Sequence, residues 1–283
     1  MKSKNLFINF ALLLMTLPGW AASTPYPLNQ PGALALDSKG NLYVANTVTS
    51  QILVYSPGYV QQTKKTISHN VLYPLGVALD PVGDVWVVNS GFNENPGSVT
   101  VYLPSGAQDT SRTITNSNFY PGAITSDGVG NMWITAGNSE IDVYPVYGLN
   151  PPAPIKTFTV PSVVTGIAAH NMWIAYTGSA NTTLQEIGPW LTGAFSVYTT
   201  QPTIAYCAAY DAAGNLYTGS SSSPYALNVT SASTNTTTQL AGLSNFPFGI
   251  AVDSARGRIY VSDPFDNLIN VFDLKGNLIK VIQ

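Results

Sequence analysis

One pattern recurs along this chain at near-constant spacing, and it constrains the fold more than any other feature. Pro31-Gly-Ala-Leu-Ala-Leu-Asp37 is followed by Gly40-Asn41-Leu42-Tyr43. The same order returns as Pro74 to Asp80 with Gly83 and Trp86, and as Pro121 to Asp127 with Gly130-Asn131 and Trp133. It returns again as Tyr206 to Asp211 with Gly214-Asn215 and Tyr217, and as Pro247 to Asp253 with Gly257 and Tyr260. A worn copy, Thr165-Gly-Ile-Ala-Ala-His170, runs directly into Asn171 and Trp173. Six aromatic anchors at a period of roughly 43 residues mark a repeat architecture, in which no unit buries its apolar face alone.

Each copy reads as strands. A small residue and then aliphatics form strand a. Asp-x-x-Gly-Asn is a tight reversal: the Asp side chain accepts backbone N–H bonds and Gly supplies a positive φ. The aromatic segment is strand b. Strand c follows as Ile52 to Tyr55, Val99 to Tyr102, Ile141 to Tyr144 and Ile269 to Phe272, and is worn in the fourth and fifth copies. Thr63 to Ile67 and Leu278 to Ile282 read as a polar outer strand d. Four strands per repeat of this length predict an all-β, six-bladed β-propeller of four-stranded blades, forming a single domain over 22–283. Residues 22–30 precede the first strand a, so the ring is expected to close without a strand shared between the termini. Pro25, Pro27 and Pro31 argue against a strand in that stretch.

The motif Pro-x-Gly-[Ile/Val]-Ala-x-Asp-x-x-Gly-Asn-[Leu/Met]-[Tyr/Trp]-Val resembles the NHL repeat. It is also similar to the wider six-bladed group that holds the regucalcin/gluconolactonase and strictosidine-synthase-like propellers. The resemblance covers about residues 31–283. It implies a fold that hosts binders and enzymes alike, so function has to be argued from the site.

Composition narrows the function classes. Lys and Arg number 11 and Asp and Glu 14 in 283 residues, and only 9% of the chain is charged. Nucleic acid would need a basic face, and none is expected as a partner. Lys2 and Lys4, the apolar run from Leu6 to Leu17, and small residues at Gly19 and Ala21 read as a signal peptide over 1–21. The run is too short to span a bilayer, which takes about 20 residues. The expectation is a periplasmic or secreted protein with no transmembrane segment in the mature chain. The single Cys207 falls at the small position of strand a, where Gly166 and Gly249 stand in other copies, and reads as a buried hydrophobe.

In this architecture the d–a and b–c connections share one rim. Ring positions Asn46, Asn89, Tyr176 and Asp263 lie there, with Tyr73, Phe92, Tyr120 and Phe248 from the connections. Aromatic faces stack on sugars or apolar side chains, and amides offer paired donors and acceptors. These eight residues are the candidate ligand-binding set for a peptide, glycan or protein partner. The regucalcin-like resemblance implies an alternative: a metal-dependent lactone or ester hydrolase with Asp263, Asn46 and Asn89 as oxygen donors. The Glu that group carries before the first strand a is replaced here by Leu28-Asn29-Gln30-Pro31. One carboxylate with two amides is a poor divalent-cation site, because affinity follows ligand charge. No catalytic residue, metal site or cofactor is therefore assigned. The repeated Asp37, Asp80, Asp127, Asp211 and Asp253, with His170 in the worn copy, read as turn residues on the opposite rim, and His69 as a solvent-facing polar residue.

Overall fold

A computed structural model describes residues 25–90, 96–115, 120–137, 139–147, 153–161, 163–171, 173–178, 183–188, 194–200 and 204–283. The expected signal peptide and Phe92 lie outside these residues. Where described, the chain folds almost wholly into antiparallel strands. The first sheet is β1 (Pro31–Leu36), β2 (Leu42–Asn46) and β3 (Gln51–Tyr55). The second is β4 (Pro74–Leu79), β5 (Val85–Asn89), β6 (Ser98–Tyr102) and β7 (Ile114–Thr115). The third is β8 (Ile124–Ser126), β9 (Asn131–Gly137), β10 (Glu140–Pro145) and β11 (Lys156–Thr159). The fourth is β12 (Val164–His170), β13 (Trp173–Gly178), β14 (Thr183–Gly188) and β15 (Ala194–Thr200). The fifth is β16 (Ala205–Tyr210), β17 (Leu216–Ser220), β18 (Ala226–Thr230) and β19 (Thr237–Gly242). The last is β20 (Ile250–Asp253), β21 (Arg258–Asp263), β22 (Leu268–Asp273) and β23 (Leu278–Ile282).

The sheets form a propeller with five complete four-stranded blades, where the repeat predicts six; β1, β2 and β3 make a three-stranded sheet. The expected outer strand from Thr63 to Ile67 is replaced by a 3-10 turn over Thr63–Lys65 and one bridge, Ile52 to Ile67. An outer strand has a neighbour on one side only. Here Ile67 is its one buried residue and both lysines face solvent, so little burial holds the segment extended. The first strands β1, β4, β8, β12, β16 and β20 touch in sequence, and β20 touches β1.

The core lies in the seams between sheets. One cluster joins Val44, Leu53 and Tyr55 to Tyr260, Ile269 and Ile282, with Leu28 from the leading segment packed in. Another joins Trp86, Val99 and Val101 to Met132, Ile134 and Tyr144. The small residues of strand a have a steric reason. A Cβ on Gly249 would stand 2.6 Å from the carbonyl oxygen of Gly32, and one on Gly166 would stand 2.5 Å from that of Tyr206. Each is backbone of the adjacent inner strand, so the strands round the channel approach too closely for side chains there.

The Asp-aromatic pairing of the repeat also has a cause. Asp80 Oδ1 accepts the Val82 and Asp84 N–H groups while Oδ2 accepts Trp86 Nε1–H at 3.1 Å. Asp127 does the same with Val129, Asn131 and Trp133, and Asp211 with Ala213, Asn215 and the Tyr217 hydroxyl. The carboxylate closes the a–b turn with one oxygen and fixes the strand-b aromatic with the other, as the turn reading expects. Glycine at the turn takes φ +81° at Gly40 and +86° at Gly214. No helix among the described residues is long and apolar enough to cross a membrane.

Candidate functional site

The inner strands enclose a channel whose wall is nearly all aliphatic. The half toward the d–a and b–c rim is a cavity of about 220 Å³ lined by Ala33, Leu75, Val163, Tyr206, Cys207 and Phe248, among others. The other half, about 250 Å³, runs past Leu36, Leu79, Ser126, Ala169, Tyr210 and Val252. Among the described residues that line it there is no carboxylate. Cys207 contributes a thiol that is 5% exposed, and burial pushes it up to about 12. At that value the thiol stays protonated at neutral pH and is not a thiolate nucleophile.

The amides of the ring are engaged by the fold. Asn46 is wholly buried; its Oδ1 accepts the Asn29 N–H at 2.7 Å and its Nδ2 donates to the Pro27 carbonyl at 3.0 Å and to Thr49 Oγ1. Asn89 repeats the device, accepting the Leu72 N–H at 2.8 Å and donating to Ser98 and Thr100. Each amide thus ties the end of strand b to the connection entering strand a. Asp263 Oδ1 accepts the Phe265 and Asp266 N–H groups, and Oδ2 accepts Asn245 Nδ2–H at 3.1 Å. With these oxygens committed to backbone and amide donors, the three residues do not fit a divalent cation. Among the described residues no group of three His, Cys, Asp or Glu is placed to hold one.

The remaining candidates divide. Tyr176 is buried in the seam between the third and fourth sheets beside Trp133 and Ile141, and burial pushes its hydroxyl up to about 12. It does not face the rim. Tyr73 is half-buried with φ +46°; its N–H donates to Ser50 Oγ and its carbonyl accepts from Ser90, so its backbone shapes the connection. Tyr120 is 59% exposed on the rim, its backbone packed on Gly137.

Phe248 is at the channel mouth, and it brings in residues that the repeat alignment passes over. Its ring lies 5.1 Å from that of Tyr206, and Tyr206 meets Phe246 edge-on at 4.5 Å. Tyr225 adds a fourth ring, 6.4 Å from Phe246. Burial, then the neighbouring Cys207, raises the Tyr206 hydroxyl above its ordinary value, so it stays a neutral hydrogen-bonding group. The signal for Tyr206 was in the sequence. It occupies the position just before the small residue of strand a, where other copies carry Gly32, Leu75, Gly122 or Thr165. Only Phe248 is comparably large, and it leads into β20, the inner strand next to the β16 that carries Tyr206. Exposed Leu72, Val163 and Phe265 extend the apolar character round the same rim.

No protein-family model matches the sequence, and no curated protein matches it. Among solved structures it is similar to a gluconolactonase from Xanthomonas campestris, described as important in glucose secondary metabolic pathways. The TM-score is 0.66 over 83% of this chain and 84% of that one, at 12% sequence identity. At that identity the likeness carries the fold alone, and the chain is an all-β propeller with a gluconolactonase as structural neighbour.

Proposed function

We propose that this chain is an exported binding propeller that captures a peptide, glycan or protein partner on the aromatic rim at the mouth of its channel. On this reading the three-stranded sheet counts as a sixth, NHL-like blade, and the leader places the mature chain in the periplasm or the medium. The observation that supports it is the cluster of Tyr206, Phe246, Phe248 and Tyr225 beside an apolar cavity, on a rim whose amides and carboxylate are already committed. At about 220 Å³ the cavity is smaller than the 300 Å³ or more of drug-sized sites. It therefore suits one ring or side chain of a larger ligand that lies across the rim.

The test is to screen a glycan array and a peptide library with the mature protein and with Tyr206→Ala/Phe248→Ala. A hit that weakens by about a hundredfold in the double variant, with unchanged circular dichroism, supports the face. A hit retained at full strength overturns it.

The structural neighbour favours a second reading, hydrolysis of a sugar lactone. Such an activity would not use Asp263, Asn46 and Asn89 as metal ligands, given their present partners. Turnover of glucono-1,5-lactone that a chelator abolishes would replace the binding reading with this one.

A further inference from the structure

The first and second repeats differ on the rim opposite the channel mouth, and the difference leaves a site open. The bridge from Tyr55 to Gln61 matches that from Tyr102 to Gln108, and a 3-10 turn follows each at Thr63–Lys65 and Thr110–Arg112. By this register Gln62 corresponds to Asp109, Lys65 to Arg112 and Thr66 to Thr113. From the aromatic anchors, Asn41 corresponds to Asp84.

In the second repeat the position is full. Arg112 Nη2 donates to Asp84 at 2.5 Å and Nε to Asp109 at 2.8 Å, and the guanidinium lies over Trp86 and Tyr147 of the next sheet. The Thr113 hydroxyl accepts from Gln108. In the first repeat both satisfactions are gone. Amides stand where the two carboxylates were, and they bond each other, Gln62 Nε2–H to Asn41 Oδ1 at 2.7 Å. Gln61 is drawn off to Tyr26 and Tyr55. The Thr66 hydroxyl is buried without a partner, and Lys65 makes no ion pair among the described residues. Between them is a cleft of about 80 Å³ lined by Tyr43, Lys64, Lys65, Thr66, Ser105 and Gly106, with apolar residues at its back.

We propose that this cleft binds the carboxylate of a small organic acid, with Lys65 as counter-charge and the Thr66 hydroxyl as donor. The protein's own solution in the sister repeat is a carboxylate against a cation on the same turn. Here the cation and an unused hydroxyl remain while two of the three carboxylates round the sister cation are replaced by amides; the third, Asp80, has its counterpart in Asp37, which is taken up by its own turn, so the anion comes from outside. The volume sets its size. The cleft is small, about 80 Å³, and suits an acetate-like head. A buried hydroxyl without a partner is unfavourable, and the ligand would relieve it. The site is independent of the channel reading.

The experiment is an NMR titration of the mature protein with sodium acetate, ionic strength held constant with chloride, read at the Lys65 and Thr66 amides. Saturable shifts are expected. Lys65→Gln and Thr66→Val should each weaken binding by about tenfold or more. Asn41→Asp/Gln62→Asp, which rebuilds the internal carboxylates of the second repeat, should remove binding while the melting temperature holds or rises. Shifts that grow without saturating, or that persist unchanged in Asn41→Asp/Gln62→Asp, would overturn the proposal. Tighter binding of inorganic phosphate than of acetate would overturn the assignment to a carboxylate.

Discussion

Ser262→Ala should open the seam at which the ring closes. Ser262 is wholly buried on β21; its hydroxyl donates to the Gly32 carbonyl at 2.8 Å and accepts the Gly249 N–H at 2.8 Å. The first partner lies on β1, so one side chain joins the last sheet to the first. Removing it orphans a buried donor and a buried acceptor. Each costs about 1–3 kcal/mol, so the loss should be about 2–6 kcal/mol, and for a domain of this size the melting temperature should fall by on the order of 10 °C. Urea unfolding followed by circular dichroism gives the free energy, with an unchanged slope because the exposed area is the same. Exposed Ser233, whose hydroxyl bonds only Ser231 among the described residues, is the control, and Ser233→Ala should stay within about 0.5 kcal/mol. A Ser262→Ala protein as stable as that control would refute the claim that these bonds hold the ring shut.

Two further outcomes follow from buried ionisable groups. Burial, against a hydrogen bond from Thr157, raises the Asp142 carboxyl above its ordinary value. A raised carboxyl favours the folded state below the unfolded value of about 4 and loses that contribution as pH rises through the folded value. Asp142→Asn should therefore melt higher than the native chain at pH 7, with the difference vanishing at pH 3; a constant difference across that range would refute the assignment. Cys207, pushed up to about 12 by burial, should not react with Ellman's reagent in the native protein at pH 8 and should titrate as one thiol after unfolding. Rapid native labelling would place the thiol in reach of solvent.

The parts of the fold that repeat were legible in the sequence, because the same steric demand recurs at each turn of the ring. The Asp of the a–b reversal, the strand-b aromatic it holds, and the small residue where inner strands meet all leave side-chain marks. The outer strands leave fewer, since an edge is selected by solvent on one side, and Thr63–Lys65 turned where extension was expected. At the site the repeat aligned Asn46, Asn89 and Asp263, which end β2, β5 and β21, but could not reveal what they bond. Each has a backbone N–H among its partners, those of Asn29, Leu72 and Phe265, which every residue except proline possesses. Tyr176 shares the ring alignment yet packs into a seam, because β13 runs on to Gly178 and keeps it inside the strand, paired with Ile167 and Gln185, where Asn46, Asn89 and Asp263 end theirs. Tyr206 was the reverse case, visible in the sequence but aligned as strand interior.

The two ends of the described chain meet the molecule differently. The leading segment threads the closing seam: Leu28 is packed in its apolar cluster, and the Gln30 N–H donates to Asn267 Oδ1 at 2.7 Å. The trailing strand β23 is the outermost of its sheet, farthest from the channel. A tether fused after Gln283 would thus hang from the outer wall and leave the channel mouth clear, whereas cargo joined just ahead of Tyr26 would pull on the wedge that holds first and last sheets together. Immobilisation through the trailing end is the orientation in which capture at the aromatic rim can be measured without loading the seam.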